Sequence, residues 1–282
     1  MCPFGGRLWD GKSPLLGPAE LICHCLLVET KVGLVLVDTG LGSRDVAAPG
    51  ARLSPLWAKA LRVRPRPAQT AIAQVRALGY GPRDVRHVVL THLDVDHAGG
   101  IDDFPWAAVH LFAPEYRAAQ ERDTFLARRR YRPPEWQDEG RFRVYEAEGE
   151  PWFGFECVRG LAGLPPEIVL VPLVGHTRGH AGVAIERGGG HWLLHAGDAY
   201  FDRGELLDEP RRAPGLGLYQ WLMQADGPAR RQNQARLREL VHSRSDVAVL
   251  SSHDAFEFER CRRGAQALGR TARVAVAGAG AY

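Results

Sequence analysis

The sequence feature that most constrains this chain is a short segment, residues 91–100, that is rich in metal-binding side chains. Within six positions it carries four candidate ligands: His92, Asp94, Asp96 and His97. The apolar run at 88–90 predicts a buried strand, and the glycines at 99–100 allow a sharp turn after it. Zinc and related ions bind imidazole and carboxylate groups, and two neighbouring carboxylates are costly without a cation between them. We interpret the segment as a metal-binding loop; a solvated loop rich in Asp and His is the alternative.

Other clusters of histidine and aspartate also follow predicted strands. The main predicted strands are 21–28, 34–37, 85–90, 109–112, 168–174, 183–185, 192–194 and 247–250. The side chains just beyond strand ends include Asp38, His176, His180, His195, Asp198 and His253. Helices are predicted over 70–78, 114–130 and 230–242. Strand ends at one edge of a sheet hold their loops in fixed positions, so we expect these side chains to form one site.

The chain shows no internal repeat and no low-complexity linker, and its 282 residues fit one domain spanning 1–282. Three segments, near 43–67, 113–140 and 199–228, are predicted to be excursions that shape a substrate pocket. Their large apolar side chains could line it, with core packing as the alternative. These residues are Trp57, Tyr116, Phe125, Tyr131, Trp136, Tyr219, Trp221 and Met223.

Composition narrows the classes of function. The chain is 45% hydrophobic and 24% charged, and it has no apolar run long enough to span a bilayer. Its first residues lack the features of a signal peptide, so we expect a cytoplasmic protein without a membrane partner. Arginine groups at 62–66 and 128–132 are interpreted as solvated helix faces, with steering of an anionic substrate as the alternative. Because no stacking aromatics accompany them, nucleic acid is not an expected partner.

The cysteines argue against a disulfide framework. They number five, an odd count, and no Cys-x-x-Cys pair occurs that would indicate a thiolate zinc site. Cys23 and Cys25 share one face of the predicted strand 21–28 because side chains alternate along a strand. We expect both to be buried or half-buried free thiols.

Taken in order, these residues resemble the metallo-β-lactamase superfamily. The matching elements are His92-x-Asp94-x-Asp96-His97, His176 in Gly-His-Thr-x-Gly-His, Asp198 in Gly-Asp, and His253. Asp38-Thr39-Gly40 also resembles the first loop of that superfamily, and the resemblance extends over roughly residues 20–255. It implies a mixed α/β fold, a four-layer αββα sandwich with two sheets face to face, helices outside and a two-metal site along one edge.

The resemblance also implies a ligand set. The first metal ion would take His92, Asp94 and His176, the second would take Asp96, His97 and His253, and Asp198 would bridge them. Asp38 is expected to orient a ligand imidazole. His180 and His195, which stand beside ligand positions, are expected to support the site or to be core histidines.

The chain departs from the superfamily motif at one position. The usual pattern is His-x-His-x-Asp-His, and Asp94 stands where the second histidine is expected. A carboxylate adds negative charge and favours harder ions, so iron or manganese competes with zinc as the expected cofactor.

A site of this kind predicts hydrolysis. Two metal ions that share a bridging water hold it as hydroxide near neutral pH, which is a nucleophile for a carbonyl carbon or a phosphorus. Asp96 is expected to orient the hydroxide and to pass its proton to the leaving group, so Asp96 and Asp198 are the predicted catalytic carboxylates. We predict a dinuclear metal-dependent hydrolase of an ester-like bond in a small molecule.

The N-terminal half resembles the N-acyl homoserine lactonase-like branch of the superfamily. That branch uses a tyrosine shortly after the bridging aspartate to contact substrate, and Tyr200 is the candidate here, with aromatic packing as its alternative. A thioester, arylester, phosphoester or sulfate ester is the alternative substrate, and a non-catalytic metal-binding sensor is the alternative outside enzymes. Lid segments such as 113–136 often form dimer contacts in such folds, so the candidate assembly is a homodimer.

Overall fold

Two β-sheets position the functional side chains in a computed structural model that describes residues 1–131, 139–147, 149–158, 160–267 and 274–277. Within these residues, the six strands of the larger sheet are β1 (Cys25–Thr30), β2 (Gly33–Val37), β3 (Val85–Val89), β4 (Ala108–Phe112), β5 (Phe142–Tyr145) and β12 (Val274–Ala277). The smaller sheet comprises β8 (Ile168–Pro172), β9 (Ala181–Glu186), β10 (Trp192–His195) and β11 (Val247–Leu250). A separate hairpin is formed by β6 (Glu150–Trp152) and β7 (Phe155–Cys157).

Strand direction decides which loops can meet. In the larger sheet, whose order is β12-β1-β2-β3-β4-β5, the strands from β2 to β5 are parallel and β1 is antiparallel to β2. The carboxyl ends of β2 and β3 therefore reach the same edge at which β1 begins. The order of the smaller sheet is β11-β10-β9-β8. Strand β9 is antiparallel to both β8 and β10, and β10 is parallel to β11. The strands β8, β10 and β11 therefore end at a common edge.

Helices and short helical turns connect these strands. The α-helices are α1 (Arg7–Asp10), α2 (Ser43–Ala47), α3 (Pro49–Arg52), α4 (Pro55–Ala60), α5 (Ala71–Ala77), α6 (Val95–Ala98), α7 (Ala113–Glu121), α8 (Phe125–Arg130), α9 (Pro214–Met223), α10 (Gly227–Ser243) and α11 (Ala255–Ala267). The 3-10 turns are Pro67–Gln69, Pro82–Asp84, Gly99–Asp103, Glu139–Arg141 and Arg203–Leu206. Among the described residues, none of these helices is both long and apolar enough to cross a membrane.

Three apolar clusters show how the layers stack. Alternate side chains of β1 and β2, such as Leu26 and Val35, pack against Leu170 of the smaller sheet. Their neighbours on the opposite face, such as Leu27 and Leu36, pack with α5 and α7, while α10 covers the outer face of the smaller sheet. This alternation is what a strand buried on both faces requires. The predicted αββα sandwich is confirmed.

The structure differs from the predicted elements in the excursions. The helix predicted over 114–130 is two helices, because Arg122 adopts a left-handed conformation (φ 45°) and Thr124 caps the next helix. The excursions 43–67 and 199–228 contain α2, α3, α4 and α9 as well as irregular chain. Residues 132–138 of the excursion 113–140, including Trp136, lie outside the described residues. The assignment of 1–282 to one domain stays a prediction.

Candidate metal centre

Loops at the ends of five strands bring the predicted ligands together. These strands are β2, β3, β8, β10 and β11, and their loops carry, in turn, Asp38, the segment 92–97, His176, Asp198 and His253. The predicted ligands are almost completely removed from solvent, since the most exposed of them, Asp94, is only 9% accessible. Helix α6 begins directly after Asp94, and this turn directs the ligands of the segment 92–97 into two groups.

The first donor group consists of His92, Asp94 and His176 together with Asp198. Asp94 Oδ2 lies 3.4 Å from His92 Nε2 and 3.1 Å from His176 Nε2. Asp198 Oδ2 lies 3.4 Å from His176 Nε2 and 3.9 Å from His92 Nε2. The donor atoms of these side chains therefore face one common space.

The second donor group consists of Asp96, His97 and His253 together with Asp198. Asp198 Oδ1 lies 3.3 Å from His97 Nε2 and 3.1 Å from His253 Nε2. Asp96 Oδ2 lies farther away, at 3.9 Å from His97 Nε2 and 3.8 Å from His253 Nε2. Asp198 Oδ2, which contacts the first group, also lies 3.2 Å from His253 Nε2, so the Asp198 carboxylate stands between the two groups and contacts both.

These residues fit divalent metal ions. The buried atoms His92 Nε2, His97 Nε2 and Asp198 Oδ1 have no hydrogen-bond partner among the described residues. Leaving such atoms unsatisfied costs free energy, which a bound cation would offset. Ligand atoms around one tetrahedral zinc ion stand roughly 3.4 Å apart, and the contacts within the two groups, at 3.1–3.9 Å, bracket that spacing.

Asp38 connects the ligand imidazoles of both donor groups. Its Oδ2 accepts hydrogen bonds from His97 Nδ1 (2.9 Å) and Thr91 Oγ1 (2.8 Å), and its Oδ1 accepts one from the Thr91 amide (2.8 Å). Thr91 Oγ1 in turn accepts a hydrogen bond from His92 Nδ1 (2.9 Å). Asp38 has a φ of 54°, a conformation that is uncommon for a residue with a side chain. One carboxylate therefore orients two imidazoles so that their Nε2 atoms face the site.

His180 positions the backbone of Asp198. Its Nδ1 donates to Leu173 O (2.9 Å), which leaves Nε2 to accept a hydrogen bond from the Asp198 amide (2.8 Å). Gly197 precedes Asp198 with a φ of 55°, and a Cβ there would lie 2.5 Å from His180 Nε2. Only glycine permits this close approach. His195 lies elsewhere in the core and donates to His24 O (2.9 Å).

Glu115 is a supporting residue that sequence reasoning missed. Its buried carboxylate accepts hydrogen bonds from the amide of Leu93 (3.1 Å), from the amide of Gly179 (3.1 Å) and from the Tyr131 hydroxyl (3.1 Å). Leu93 follows His92, and Gly179 belongs to the loop of His176. Glu115 thus joins the loops of the first donor group. A glutamate in the first turn of a helix is common, so nothing local marks it.

Arg130 corrects the interpretation of residues 128–132 as a solvated face. Arg128 and Arg129 are exposed, but Arg130 is buried and its Nε lies 3.0 Å from Asp94 Oδ1. Its other nitrogens donate to the carbonyls of His176 (2.8 Å) and Met223 (2.6 Å). Burial alone would raise the pKa of Asp94, but the Arg130 guanidinium holds that pKa well below its usual range. One feature of the sequence could have indicated a buried arginine: Asp94 stands where a histidine is expected, and an additional buried carboxylate needs a cation beside it.

Tyr200 also needs correction as a substrate contact. It is fully buried, and its hydroxyl donates to the carboxylate of Glu257 (2.9 Å). Burial, followed by the nearby Asp254, raises the pKa of Glu257 to about 8. Tyr200 therefore packs in the core, as the alternative interpretation held. The tyrosine at the site is Tyr219 of α9, whose hydroxyl accepts a hydrogen bond from Trp57 Nε1 (3.3 Å).

A cavity of about 230 Å³ opens onto the donor groups. Its apolar lining comes from the excursions and includes Leu56, Trp57, Leu126, Tyr219 and Met223. Its polar lining includes Asp94, Asp96, Asp198, Arg129, Arg130 and Ser54. Of the other predicted pocket residues, Phe125 and Trp221 are exposed, Tyr116 packs against Phe142, and Tyr131 is buried.

Comparisons with known proteins show the family and the relatives that this chain matches. Residues 18–253 match the sequence model of the metallo-beta-lactamase superfamily. A probable metallo-hydrolase of Mycobacterium tuberculosis is 44% identical over 236 residues, which cover 83% of this chain and 75% of that protein. An N-acyl homoserine lactonase of Bacillus cereus is 24% identical over 92% of this chain and 94% of its own length.

A solved structure shows the same fold. It is an N-acyl homoserine lactone hydrolase with the product N-hexanoyl-L-homoserine bound at its catalytic metal centre, and it superimposes with a TM-score of 0.66 at 22% identity. The match covers 93% of this chain and 92% of that one.

Proposed function

Because this chain belongs to the metallo-β-lactamase superfamily, we propose that it is a dinuclear metal-dependent hydrolase that cleaves an ester-like bond. The observation that carries this proposal is the position of Asp198, whose carboxylate lies between two groups of donor atoms and contacts both. A shared carboxylate of this kind suits two neighbouring metal ions. The family and the named hydrolase relative support the reaction class.

The proposed ligand set follows the two donor groups. His92, Asp94 and His176 would hold one ion, Asp96, His97 and His253 would hold the other, and Asp198 would contribute to both. Two divalent ions in such a site supply Lewis acidity and lower the pKa of bound water toward neutrality. Zinc suits imidazole and carboxylate ligands, while the carboxylate of Asp94 makes iron or manganese its competitor in the first donor group.

The side chains around the cavity supply the remaining chemistry. Asp96 is within the cavity lining, so its carboxylate can accept a proton from the attacking water and deliver it to the leaving group. Tyr219 accepts a hydrogen bond from Trp57, and its own hydroxyl hydrogen remains to donate to a substrate oxygen. The Arg130 guanidinium lies against Asp94 Oδ1. This contact keeps Asp94 Oδ2 directed at His92 and His176 of the first donor group.

The proposed substrate is a carboxylic ester with an apolar acyl part, and a lactone is the form to test first. The cavity lining is mainly apolar beside the donor groups, which suits an acyl chain next to a polar reacting group. The lactonase of Bacillus cereus matches almost the whole chain and thereby supports the same choice.

Metal removal tests this function. We expect nearly two divalent ions per chain, loss of hydrolysis after chelation, and recovery when metal is added back. The assay compares acyl lactones, aryl esters, thioesters, phosphodiesters and sulfate esters, with lactones or simple esters expected to be the best substrates. One ion per chain would contradict the dinuclear centre, and two ions without turnover of any ester would support a non-catalytic sensor.

Replacing Tyr219 with phenylalanine tests its contact with substrate. We expect kcat/KM for the best ester to fall about fivefold to tenfold, because one hydrogen bond to substrate is lost. Metal content should stay unchanged. Tyr200→Phe is the matched control, since it removes a buried hydrogen bond to Glu257 and should lower stability but leave kcat/KM of the folded enzyme unchanged. An equal effect of both substitutions on kcat/KM would exclude a specific role for Tyr219.

A further inference from the structure

Cys23 lies beside the second donor group, which sequence reasoning did not anticipate. The first strand begins at Cys25, so Cys23 is in the loop before it instead of inside the predicted strand 21–28. Because β1 is antiparallel to β2, the start of β1 is at the edge where β2 and β3 deliver their ligands. The direction of β1 therefore places the Cys23 thiol beside the candidate metal centre.

The distances place this thiol beside two members of the second donor group, Asp96 and His253. Cys23 Sγ lies 3.9 Å from Asp96 Oδ2, and the donor atoms of Cys23, Asp96 and His253 all lie within 4.8 Å of one another. The adjacent residue Ile22 accepts a hydrogen bond from His253 Nδ1 (2.6 Å), which turns His253 Nε2 toward the same space. Cys23 is half-buried and lines a cavity together with Asp96.

The neighbouring side chains supply independent evidence that this space receives a cation. His97 Nε2, 3.9 Å from Asp96 Oδ2, and Asp198 Oδ1 are buried without a hydrogen-bond partner among the residues that the structure describes. Both atoms belong to the second donor group, and Asp198 Oδ1 lies 3.1 Å from His253 Nε2. The thiol is therefore part of a cluster of donors instead of a lone cysteine.

Resting on the proposed function, we propose that Cys23 supplies a thiolate ligand to the ion held by Asp96 and His253. Binding breaks the S–H bond, the sulfur keeps the electron pair and donates it to the ion, and the proton passes to solvent, with no change of oxidation state. A thiolate favours softer ions than carboxylates do. The two donor groups consequently prefer different metal ions. Asp94 favours a harder ion in the first group, and Cys23 favours a softer ion in the second.

Cys25 is the natural control for this proposal. It stands two residues away but is buried in the apolar cluster with Leu27 and Leu36. Cys25 is 3% exposed, and it does not belong to any of the donor clusters that could hold a metal ion among the described residues. Removing Cys25 changes the number of thiols without touching the donor group.

The test is cobalt(II) substitution of the full chain, followed by absorption spectroscopy. We expect a sulfur-to-cobalt charge-transfer band in the near ultraviolet that grows as the second ion binds. The band should disappear in Cys23→Ser and persist in Cys25→Ala. We also expect Cys23→Ser to weaken binding of the second ion by at least about tenfold. Cadmium NMR of the unsubstituted protein, in which a sulfur ligand shifts one of the two signals downfield, gives the same information without a variant.

The outcomes separate the two proposals. Binding of two cobalt ions without a charge-transfer band, or a band that survives in Cys23→Ser, would overturn ligation by Cys23 while the dinuclear centre stands. Failure of the unsubstituted chain to bind two ions would overturn the proposed function and this inference with it.

Discussion

Replacing Asp198 with alanine is expected to reduce kcat/KM for ester hydrolysis by at least about a thousandfold and to weaken binding of both metal ions. The reason is geometric: the Asp198 carboxylate contacts His176 of the first donor group (Oδ2, 3.4 Å) and His253 of the second (Oδ1, 3.1 Å). Loss of this side chain removes a ligand from each ion at once. A contribution of several kcal/mol to the transition state corresponds to a thousandfold or more in rate.

Two further variants make the Asp198 experiment specific. Asp198→Asn keeps the shape of the side chain but removes its charge, so we expect an intermediate loss of metal affinity. Asp208→Ala is the matched control, because Asp208 is 91% exposed and its partner is His242, far from the ligand set. Metal content by elemental analysis and hydrolysis of the preferred ester are the measurements. An Asp198→Ala protein that retains two ions and full activity would show that Asp198 does not bridge.

The ligand loops were the part of the molecule that sequence could predict. Apolar runs such as 88–90 and 247–250 mark buried strands, and the residues after them need only the direction of the strand to be placed. Asp38 and His253 were located in this way although the chain separates them widely. Parallel strands collect their carboxyl ends at one edge, so local signals sufficed for a non-local site.

The supporting residues could not be predicted because their roles depend on contacts between distant segments. The Glu115 carboxylate accepts hydrogen bonds from the amides of both Leu93 and Gly179. No local sequence pattern predicts that these two distant amides lie beside it. Cys23 and Cys25 are, as predicted, half-buried and buried free thiols. The predicted strand 21–28 begins too early, because its apolar residues continue before the start of β1 at Cys25, and the position of Cys23 beside the site was therefore not predicted.

Tyr219 shows a different limit. Its segment was predicted only as part of the excursion 199–228, since Pro214 and the glycines at 215 and 217 weaken the helical signal, yet α9 runs from Pro214 to Met223. Proline is accepted in the first turn of a helix, and the packing of Leu216 and Gln220 in the interior supports the rest. Tertiary contacts overrode local propensity and moved the candidate tyrosine from position 200 to position 219.

Replacing Arg130 with alanine is expected to lower the free energy of unfolding by about 3–5 kcal/mol, because it leaves the buried carboxylate of Asp94 without its cation. The same change removes hydrogen bonds to the carbonyls of His176 and Met223, which join the ligand loop to α9. We also expect weaker binding in the first donor group, since Asp94 Oδ2 is no longer held toward His92 and His176. Denaturant unfolding at one fixed free metal concentration measures the stability change.

A double-mutant cycle with Asp94→His isolates the ion pair. Histidine at position 94 restores the usual superfamily pattern and removes the carboxylate that Arg130 faces, so Arg130→Ala should cost at least about 1 kcal/mol less in that background than in the native one. Arg129→Ala is the matched control, because Arg129 is the exposed neighbour and its removal should change stability by no more than about 0.5 kcal/mol. Equal costs of Arg130→Ala in both backgrounds would mean that Arg130 acts only through the His176 and Met223 carbonyls. A smaller cost beside histidine would instead show that the acid at 94 and the arginine at 130 form one unit, in which the guanidinium compensates the charge that Asp94 adds to the metal centre.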